Sequence, residues 1–96
     1  MNWNQLQYVL MIAQEKNITK AAQKLYLSQP SLSMSLKTLE EELGVEIFER
    51  KKGVLELTYA GELFCHWAEN SLRSKQILSD QLSDISSNVR HKVRLG

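Results

Sequence analysis

The sequence predicts a mainly α fold in which three short helices and one β-hairpin precede a single long helix. Apolar residues recur at helical spacing up to Gly44, alternate with polar residues from Val45 to Leu57, and return to helical spacing after Thr58. These changes of period divide the chain into its parts. Its 96 residues are enough for one small domain with one extended element attached.

The first two helices are predicted from short apolar stripes. Residues 3–14 carry an i, i+3, i+4, i+7 pattern made by Trp3, Leu6, Val9, Leu10 and Ala13. Thr19 is the predicted N-cap of a short second helix. The inner face of that helix would carry Ala21, Ala22 and Leu25. The two alanine side chains are small enough to let a crossing helix approach closely.

The third helix has a marked start and stop. Ser28 is its predicted N-cap, Pro30 lies in a first turn that needs no N–H donor, and Gly44 is the expected stop. Leucines at helical spacing are expected to face the core, at Leu32, Leu36, Leu39 and Leu43. A helix, a tight turn and a second helix within about 25 residues have the spacing of a helix-turn-helix.

A β-hairpin and a long helix complete the pattern. The hairpin is predicted from apolar residues that alternate with polar ones on both sides of Gly53, namely Val45, Ile47, Leu55 and Leu57. Thr58 then caps a helix that can run to about residue 88 without a proline. At a rise of about 1.5 Å per residue it would measure about 45 Å, more than a domain of this size needs.

The sequence of the second half of this helix predicts that the helix packs against a second copy of the chain. Its apolar residues alternate steps of four and three, as in a coiled-coil seam, at Leu78, Leu82, Ile85 and Val89. The residues before the helix offer no partner for so long a stripe. We therefore expect dimerisation through Phe64, Trp67, Leu78, Leu82 and Ile85.

These elements divide the chain into three parts. Residues 1–57 are expected to form a winged helix-turn-helix, in which the hairpin is the wing. Residues 58–89 are expected to form the linker or dimerisation helix. Residues 90–96 are assigned to the start of a further domain, because the sequence from His91 to Gly96 is similar to a first strand.

Composition excludes several classes of protein. No stretch approaches the roughly 18–20 apolar residues that span a bilayer, so no membrane contact is expected. Residues 1–14 lack a basic leader, and a single cysteine precludes an internal disulfide, which together predict a cytoplasmic location. No glycine-rich phosphate loop, metal cluster or nucleophile triad occurs in the sequence. We therefore expect no enzyme, no metal site and no cofactor in this segment.

Two features of the sequence are interpreted as structural. Cys65 and His66 are adjacent, so they point about 100° apart on a helix and cannot easily share a metal. Cys65 could cross-link two chains on oxidation if it faced a partner helix. The acidic run Glu40–Glu42 is interpreted as a solvated face, with Glu41 one turn from Lys37.

The distribution of charge is more informative than the net charge of +1. Residues 16–37 contain four lysines and no acid, residues 40–49 contain five acids and no base, and Arg50, Lys51 and Lys52 follow together. Two basic segments on either side of an acidic one predict a cationic face. Lysines scattered over a solvated surface are the alternative interpretation.

The third helix predicts a surface that fits duplex DNA. With the leucines inward, Pro30, Met34 and Lys37 point outward, flanked by Ser31, Ser33 and Thr38. Serine and lysine can bond to base edges or phosphates in the major groove, and methionine can lie against a thymine methyl. An ordinary solvated helix face is the alternative.

The basic wing favours the first interpretation of that helix face. The side chains of Arg50, Lys51 and Lys52 can contact phosphates or the minor groove beside the third helix. Lysines in a turn also discourage edge pairing and keep a hairpin soluble, which is the alternative.

Several motifs follow one another without a gap between about residues 3 and 64. They are Leu6, Ala21-Ala22-x-x-Leu25, Ser28-Gln29-Pro30-Ser31-Leu32-Ser33, Leu36, Leu39-Glu40, Leu43-Gly44, Ile47-Phe48-x-Arg50 and Leu57-Thr58-x-Ala60-Gly61. In these motifs the chain resembles the N-terminal domain of LysR-type transcriptional regulators, a large bacterial family. Residues 65–89 match the linker helix of that family in pattern only.

The resemblance implies a winged helix-turn-helix that dimerises through antiparallel linker helices, usually within tetramers. Members of the family bind interrupted, AT-rich inverted repeats in double-stranded DNA, and a C-terminal domain senses a small co-inducer. Family contacts carry over onto Gln29, Pro30, Ser31 and Ser33, with Lys37 and Arg50 as partners. With the outward residues, the predicted DNA-binding set is Ser28, Gln29, Pro30, Ser31, Ser33, Met34, Lys37, Thr38, Arg50, Lys51 and Lys52.

Three positions depart from the family pattern. Met34 stands where a polar or basic residue is frequent, and Ser35 where a longer polar residue is usual. Gly53 stands where the wing often holds arginine, so Lys51 and Lys52 would have to supply that charge. These departures affect the base preference and the wing contact.

Two classes of function follow from these observations. The first is a sequence-specific DNA-binding regulator, with helix 28–43 in the major groove and the 50–53 wing on the backbone or the minor groove. The second is a winged-helix protein-interaction module, in which the basic wing only confers solubility.

Overall fold

The computed structural model describes the backbone of residues 1–95 and the side chains of residues 1–87. The elements, in chain order, are α1 (Trp3–Glu15), α2 (Ile18–Lys24), α3 (Gln29–Leu43), β1 (Phe48–Lys51), β2 (Val54–Leu57) and α4 (Tyr59–Leu95). The two strands form one antiparallel hairpin. The predicted order of elements is confirmed.

Side-chain caps start the helices at polar residues. Ser28 caps α3 and Thr58 caps α4, as predicted. The prediction for α2 is wrong, because its N-cap is Asn17, whose Oδ1 accepts a hydrogen bond of 2.8 Å from the Lys20 amide. An asparagine two residues before Thr19 satisfies the same unpaired amides, and the helix therefore starts earlier.

The core lies where α1, α2 and α3 cross beneath the hairpin. Its fully buried large side chains are Leu6, Val9, Ile12, Leu32, Leu39 and Ile47. Leu43, which was expected in the core, is 38% exposed instead, and Val45, which was expected in the hairpin, is 44% exposed. Leu43 lies in the last turn of α3 and Val45 in the link that follows, before strand pairing begins at Phe48. Val45 and Ile47, two of the alternating apolar residues, therefore lie before the first strand and not in it.

Glu40 connects α3 to the start of the hairpin. Its Oε2 accepts hydrogen bonds from the amides of Ile47, at 2.6 Å, and of Phe48, at 3.5 Å. The interpretation of the whole acidic run as a solvated face is therefore wrong for Glu40. Its carboxylate satisfies amides that have no strand partner, and thereby holds the wing against α3.

A second junction joins the hairpin to α4. The Thr58 amide donates to the Ile47 carbonyl at 2.9 Å, and the Thr58 hydroxyl donates to the Glu46 carbonyl at 2.6 Å. The same hydroxyl accepts from the Gly61 amide at 2.9 Å. Gly61 itself packs so tightly that a Cβ there would lie 2.1 Å from the Ile47 oxygen. The wing and α4 are therefore fixed to one another.

Helix α4 begins on the core and then leaves it. Cys65 and Ala68 are buried, whereas every described side chain from Arg73 to Ser87 is exposed. The helix continues through residues 91–95, where a strand was expected. Val89 lies outside the described side chains and Gly96 outside the described backbone, and the assignment of 90–96 to a further domain stays a prediction. In the part of the chain that the structure describes, no helix is both long and apolar enough to cross a bilayer.

Candidate nucleic-acid interface

The outer face of α3 is open to solvent. Leu32 and Leu39 are fully buried, so the helix is oriented as its leucines predict. On the other side Met34 is 63% exposed, and Ser33 is half-buried. The remaining predicted contact residues of this helix and its cap are exposed, namely Ser28, Gln29, Pro30, Ser31, Lys37 and Thr38. Neither the hairpin nor α1 covers this face, so it is free to enter the major groove of a DNA duplex.

Hydrogen bonds within the first two turns of α3 order its polar side chains. The Ser28 hydroxyl donates to the Ser31 hydroxyl at 2.8 Å, and Gln29 Nε2 donates to the Ser33 hydroxyl at 2.9 Å. A glutamine amide has two N–H donors and an acceptor oxygen. Gln29 therefore keeps one N–H and its oxygen for a bidentate bond to adenine, while Ser33 orients its amide plane.

The wing turn is a two-residue loop with left-handed backbone at both positions. Lys52 has φ 52° and Gly53 has φ 77°. Positive φ at both central residues is the geometry that matches the twist of a tight hairpin, and glycine adopts it without strain. The turn carries Lys52 to the exposed tip.

The three wing cations do not form one cluster. In the hairpin, Arg50 pairs with Leu55 and Lys51 pairs with Val54, so the two cations lie on opposite faces. Leu55 is buried, which places Arg50 on the face toward the helices. Lys51 lies on the outer face and forms a 3.3 Å ion pair with Glu49. Arg50 is thus the wing cation that lies on the same side as α3.

A cleft separates the wing from the start of α3. We call it the basic cleft, and its lining residues are Lys16, Asn17, Ile18, Thr19, Gln29, Arg50, Gly53 and Leu55. Sequence reasoning placed Gln29 and Arg50 in the site but missed residues 16–19. These residues are distant in sequence from the wing, and their local signals were the polar break at Lys16-Asn17 and the acid-free basic segment that begins at Lys16.

The apolar side chains of α4 form an exposed surface. Trp67 is 47% exposed, Leu78 is 54%, Leu82 is 55% and Ile85 is 59% exposed. Trp67 also lines a cleft with Trp3 and Leu6, so the apolar surface continues onto α1. Phe64 differs from the expectation, because it is partly buried against the protein's own core, with its ring centroid 5.7 Å from that of Trp67.

Cys65 belongs to the core. It is 8% exposed and packs in the cluster with Ile12 and Leu55, so its thiol does not face a partner helix. Burial, and to a smaller degree the neighbouring Glu69 carboxylate, raises the pKa of the Cys65 thiol from 9.0 to about 11. No group of metal-binding side chains occurs among the residues that the structure describes.

The raised thiol pKa makes Cys65 unreactive in the folded protein. At about pH 8 we expect iodoacetamide to alkylate it at least about a hundredfold more slowly than in the unfolded chain, since only the thiolate reacts. Because the unfolded thiol ionises first, the free energy of unfolding should also fall as the pH rises above 9.0. Mass spectrometry of timed reactions measures the ratio. Equal rates would contradict the buried position.

The family model and the similar proteins point to the same family. The family model described as bacterial regulatory helix-turn-helix protein, lysR family, matches residues 3–62. The HTH-type transcriptional regulator BsdA of Bacillus subtilis is 40% identical over 97 residues, which cover 100% of this chain and 33% of that protein. The HTH-type transcriptional regulator YcgK of the same organism is 38% identical over 91 residues, which cover 95% and 28%. The chain thus spans about a third of the length of these relatives.

Solved structures show the same architecture. The BenM DNA-binding domain in its complex with catB site 1 DNA has a TM-score of 0.87 and 33% identity, covering 92% of this chain and 95% of that one. The CbnR DNA-binding domain in a DNA complex has a TM-score of 0.84 and 32% identity, covering 90% and 99%. These matches confirm the predicted winged helix-turn-helix with a long final helix, and the regulator relatives confirm that the chain is not an enzyme. The chain belongs to the LysR family of bacterial regulatory helix-turn-helix proteins.

Proposed function

We propose that this chain is the DNA-reading part of a transcriptional regulator, with α3 in the major groove and the wing on the adjacent backbone or minor groove. The observation that carries the proposal is the uncovered face of α3, where Gln29 and Ser33 are already hydrogen-bonded in an ordered pair. Two similar structures are DNA-binding domains in complex with DNA, which supports the same partner for this chain.

The resemblance supports further parts of this proposal. The DNA site is an interrupted, AT-rich inverted repeat of double-stranded DNA, bound by a homodimer or homotetramer in the cytoplasm. A small-molecule co-inducer acts through a C-terminal effector domain outside this chain, and no cofactor is needed within it. The proposed DNA-contact residues are those of α3 and its cap and of the wing.

The exposed apolar surface of α4 supports assembly through a second copy. An antiparallel partner helix would bring the Leu78, Leu82 and Ile85 stripe of one chain beside the Trp67 and Trp3 surface of the other. A two-fold axis makes such a surface self-complementary, since each half of the helix meets the other half. More than half of each of the three stripe side chains would be removed from water.

The proposed recognition of bases is tested by removing either member of the hydrogen-bonded pair Gln29 and Ser33. Gln29→Ala, and separately Ser33→Ala, should weaken binding to a duplex selected from a random pool by about 1–3 kcal/mol, roughly 5- to 150-fold. Binding to an unrelated duplex should change little, because phosphate contacts remain. Fluorescence anisotropy at one fixed salt concentration measures both. Equal losses on the selected and the unrelated duplex would remove these residues from base reading.

Salt dependence separates this proposal from a protein-interaction module. If DNA is the partner, the logarithm of the association constant should fall steeply with the logarithm of salt concentration, by about 0.9 per phosphate contact. A chain that binds no duplex under these conditions would favour the protein-interaction module.

A further inference from the structure

The basic cleft brings together three segments that are far apart in sequence. Lys16 and Asn17 come from the link between α1 and α2, Gln29 is the first residue of α3, and Arg50 and Gly53 come from the hairpin. Asn17 and Glu40 hold these segments in place through the caps and amide bonds already described. The cleft is therefore a product of the folded domain and not of one element.

The cleft has an unbalanced positive charge. Among the side chains that the structure describes, its lining includes the two cations Lys16 and Arg50 and no acidic side chain. Within residues 1–87, the lysines in ion pairs are Lys24, with Glu15, and Lys51, with Glu49, whereas neither cleft cation has such a partner. Two unpaired cations on one concavity lower the energy of an anion placed between them.

The backbone keeps the cleft open and places a lysine at its edge. Lys16 has φ 54°, a left-handed conformation that asparagine or glycine adopts more easily. The Gly53 position has nothing within 4 Å of where a Cβ would lie, so no side chain fills the wing side. The strand register leaves Arg50 as the cation on the inner face of the wing.

The polar groups of the cleft suit a phosphate oxygen. Asn17 uses its Oδ1 as the cap of α2, which leaves its amide N–H groups as donors. The exposed Thr19 hydroxyl adds a further donor. Gln29 belongs both to this cleft and to the uncovered face of α3, so an anion held here lies beside the groove that α3 would enter.

We propose that the basic cleft binds one phosphodiester of the DNA backbone between Lys16 and Arg50 and thereby sets the depth and register of α3 in the major groove. This inference rests on the proposed DNA-binding function. A phosphate contact positions a protein on the duplex and carries no sequence information, so the cleft contributes equally on every sequence.

The first test measures salt dependence on a random-sequence duplex. The variants are Lys16→Gln, Arg50→Gln and their double, and the matched control for each single variant is Arg73→Gln, which removes one cation from α4. For each bound chain, we expect the double variant to lower the slope of log K against log salt by about 0.9, the contribution of one shared phosphate, and each single variant by no more. The control should keep the slope of the unaltered protein. Circular dichroism melting verifies that every variant folds.

A second test locates the phosphate. Single neutral methylphosphonates are placed in turn along a duplex selected from a random pool. The unaltered protein should lose affinity at one position in each half-site, and the double variant should be indifferent to that same position. If the unaltered protein binds DNA but the double variant keeps its slope, the cleft is not a phosphate site and the DNA-binding proposal stands. If the unaltered protein binds no duplex, both proposals fail.

Discussion

Gly61→Ala is expected to destabilise the protein by about 3 kcal/mol, although alanine ordinarily stabilises a helix relative to glycine by about 1 kcal/mol. The added Cβ would lie 2.1 Å from the Ile47 oxygen and 3.0 Å from a methyl carbon of Leu57. The Ile47 carbonyl accepts a hydrogen bond from the Thr58 amide at 2.9 Å. It therefore cannot move aside without losing the bond that fixes the wing to α4.

Urea unfolding followed by circular dichroism measures this loss. Gly53→Ala is the matched control, because the space around Gly53 is open and only its φ of 77° opposes a side chain. A left-handed alanine costs about 1–2 kcal/mol, so the control should lose less stability than Gly61→Ala. A Gly61→Ala protein as stable as the unaltered one would show that α4 does not pack on the Ile47 carbonyl.

Leu82→Asp is expected to convert the assembled protein into monomers while leaving each monomer folded. Leu82 is 55% exposed and lies in the part of α4 that leaves the core, so its replacement removes no core contact. In a two-fold interface the change buries an unpaired carboxylate twice. We expect the dimer dissociation constant to rise by more than about a hundredfold, which corresponds to about 3 kcal/mol. Ile85→Asp should act in the same way.

Analytical ultracentrifugation measures the change, and Ser87→Asp is the matched control. Ser87 lies on the face of α4 that also carries Asp80 and Asp84, opposite the apolar stripe. The control adds the same charge and should leave the assembly intact. A Leu82→Asp protein that still dimerises would remove α4 from this role. Monomers should also bind a two-half-site duplex poorly, because the second half-site is no longer tethered.

The elements of the fold were predictable because each has a local signal. Ser28 and Thr58 mark helix starts, Gly44 marks a stop, and Lys52-Gly53 forms the hairpin turn. Thr19 failed as a cap because two polar residues competed for one helix start, and the sequence does not decide between them. Leu43 failed as a core residue because periodicity identifies a face of a helix but not where the neighbouring elements end.

The candidate interface was only partly predictable. The outward face of α3 follows from the spacing of Leu32, Leu36 and Leu39, a pattern within a single element. The separation of Arg50 from Lys51 depends on strand register, which pairs Arg50 with the buried Leu55. Glu40 accepts a hydrogen bond from the Ile47 amide only because the chain after α3 folds back beside that helix.

The sequence by itself determined the family, the order of the elements, the orientation of α3 and the unpartnered stripe of α4, since each is written in motifs or in spacing along one segment. Only the tertiary structure decided that Lys16 and Arg50 share a cleft, that Glu40 holds the wing and that Gly61 must lack a side chain. The physical reason is the separation along the sequence of the residues that interact. Periodicity and capping act within a few residues, whereas charge proximity and close packing arise between segments that only the folded backbone brings together.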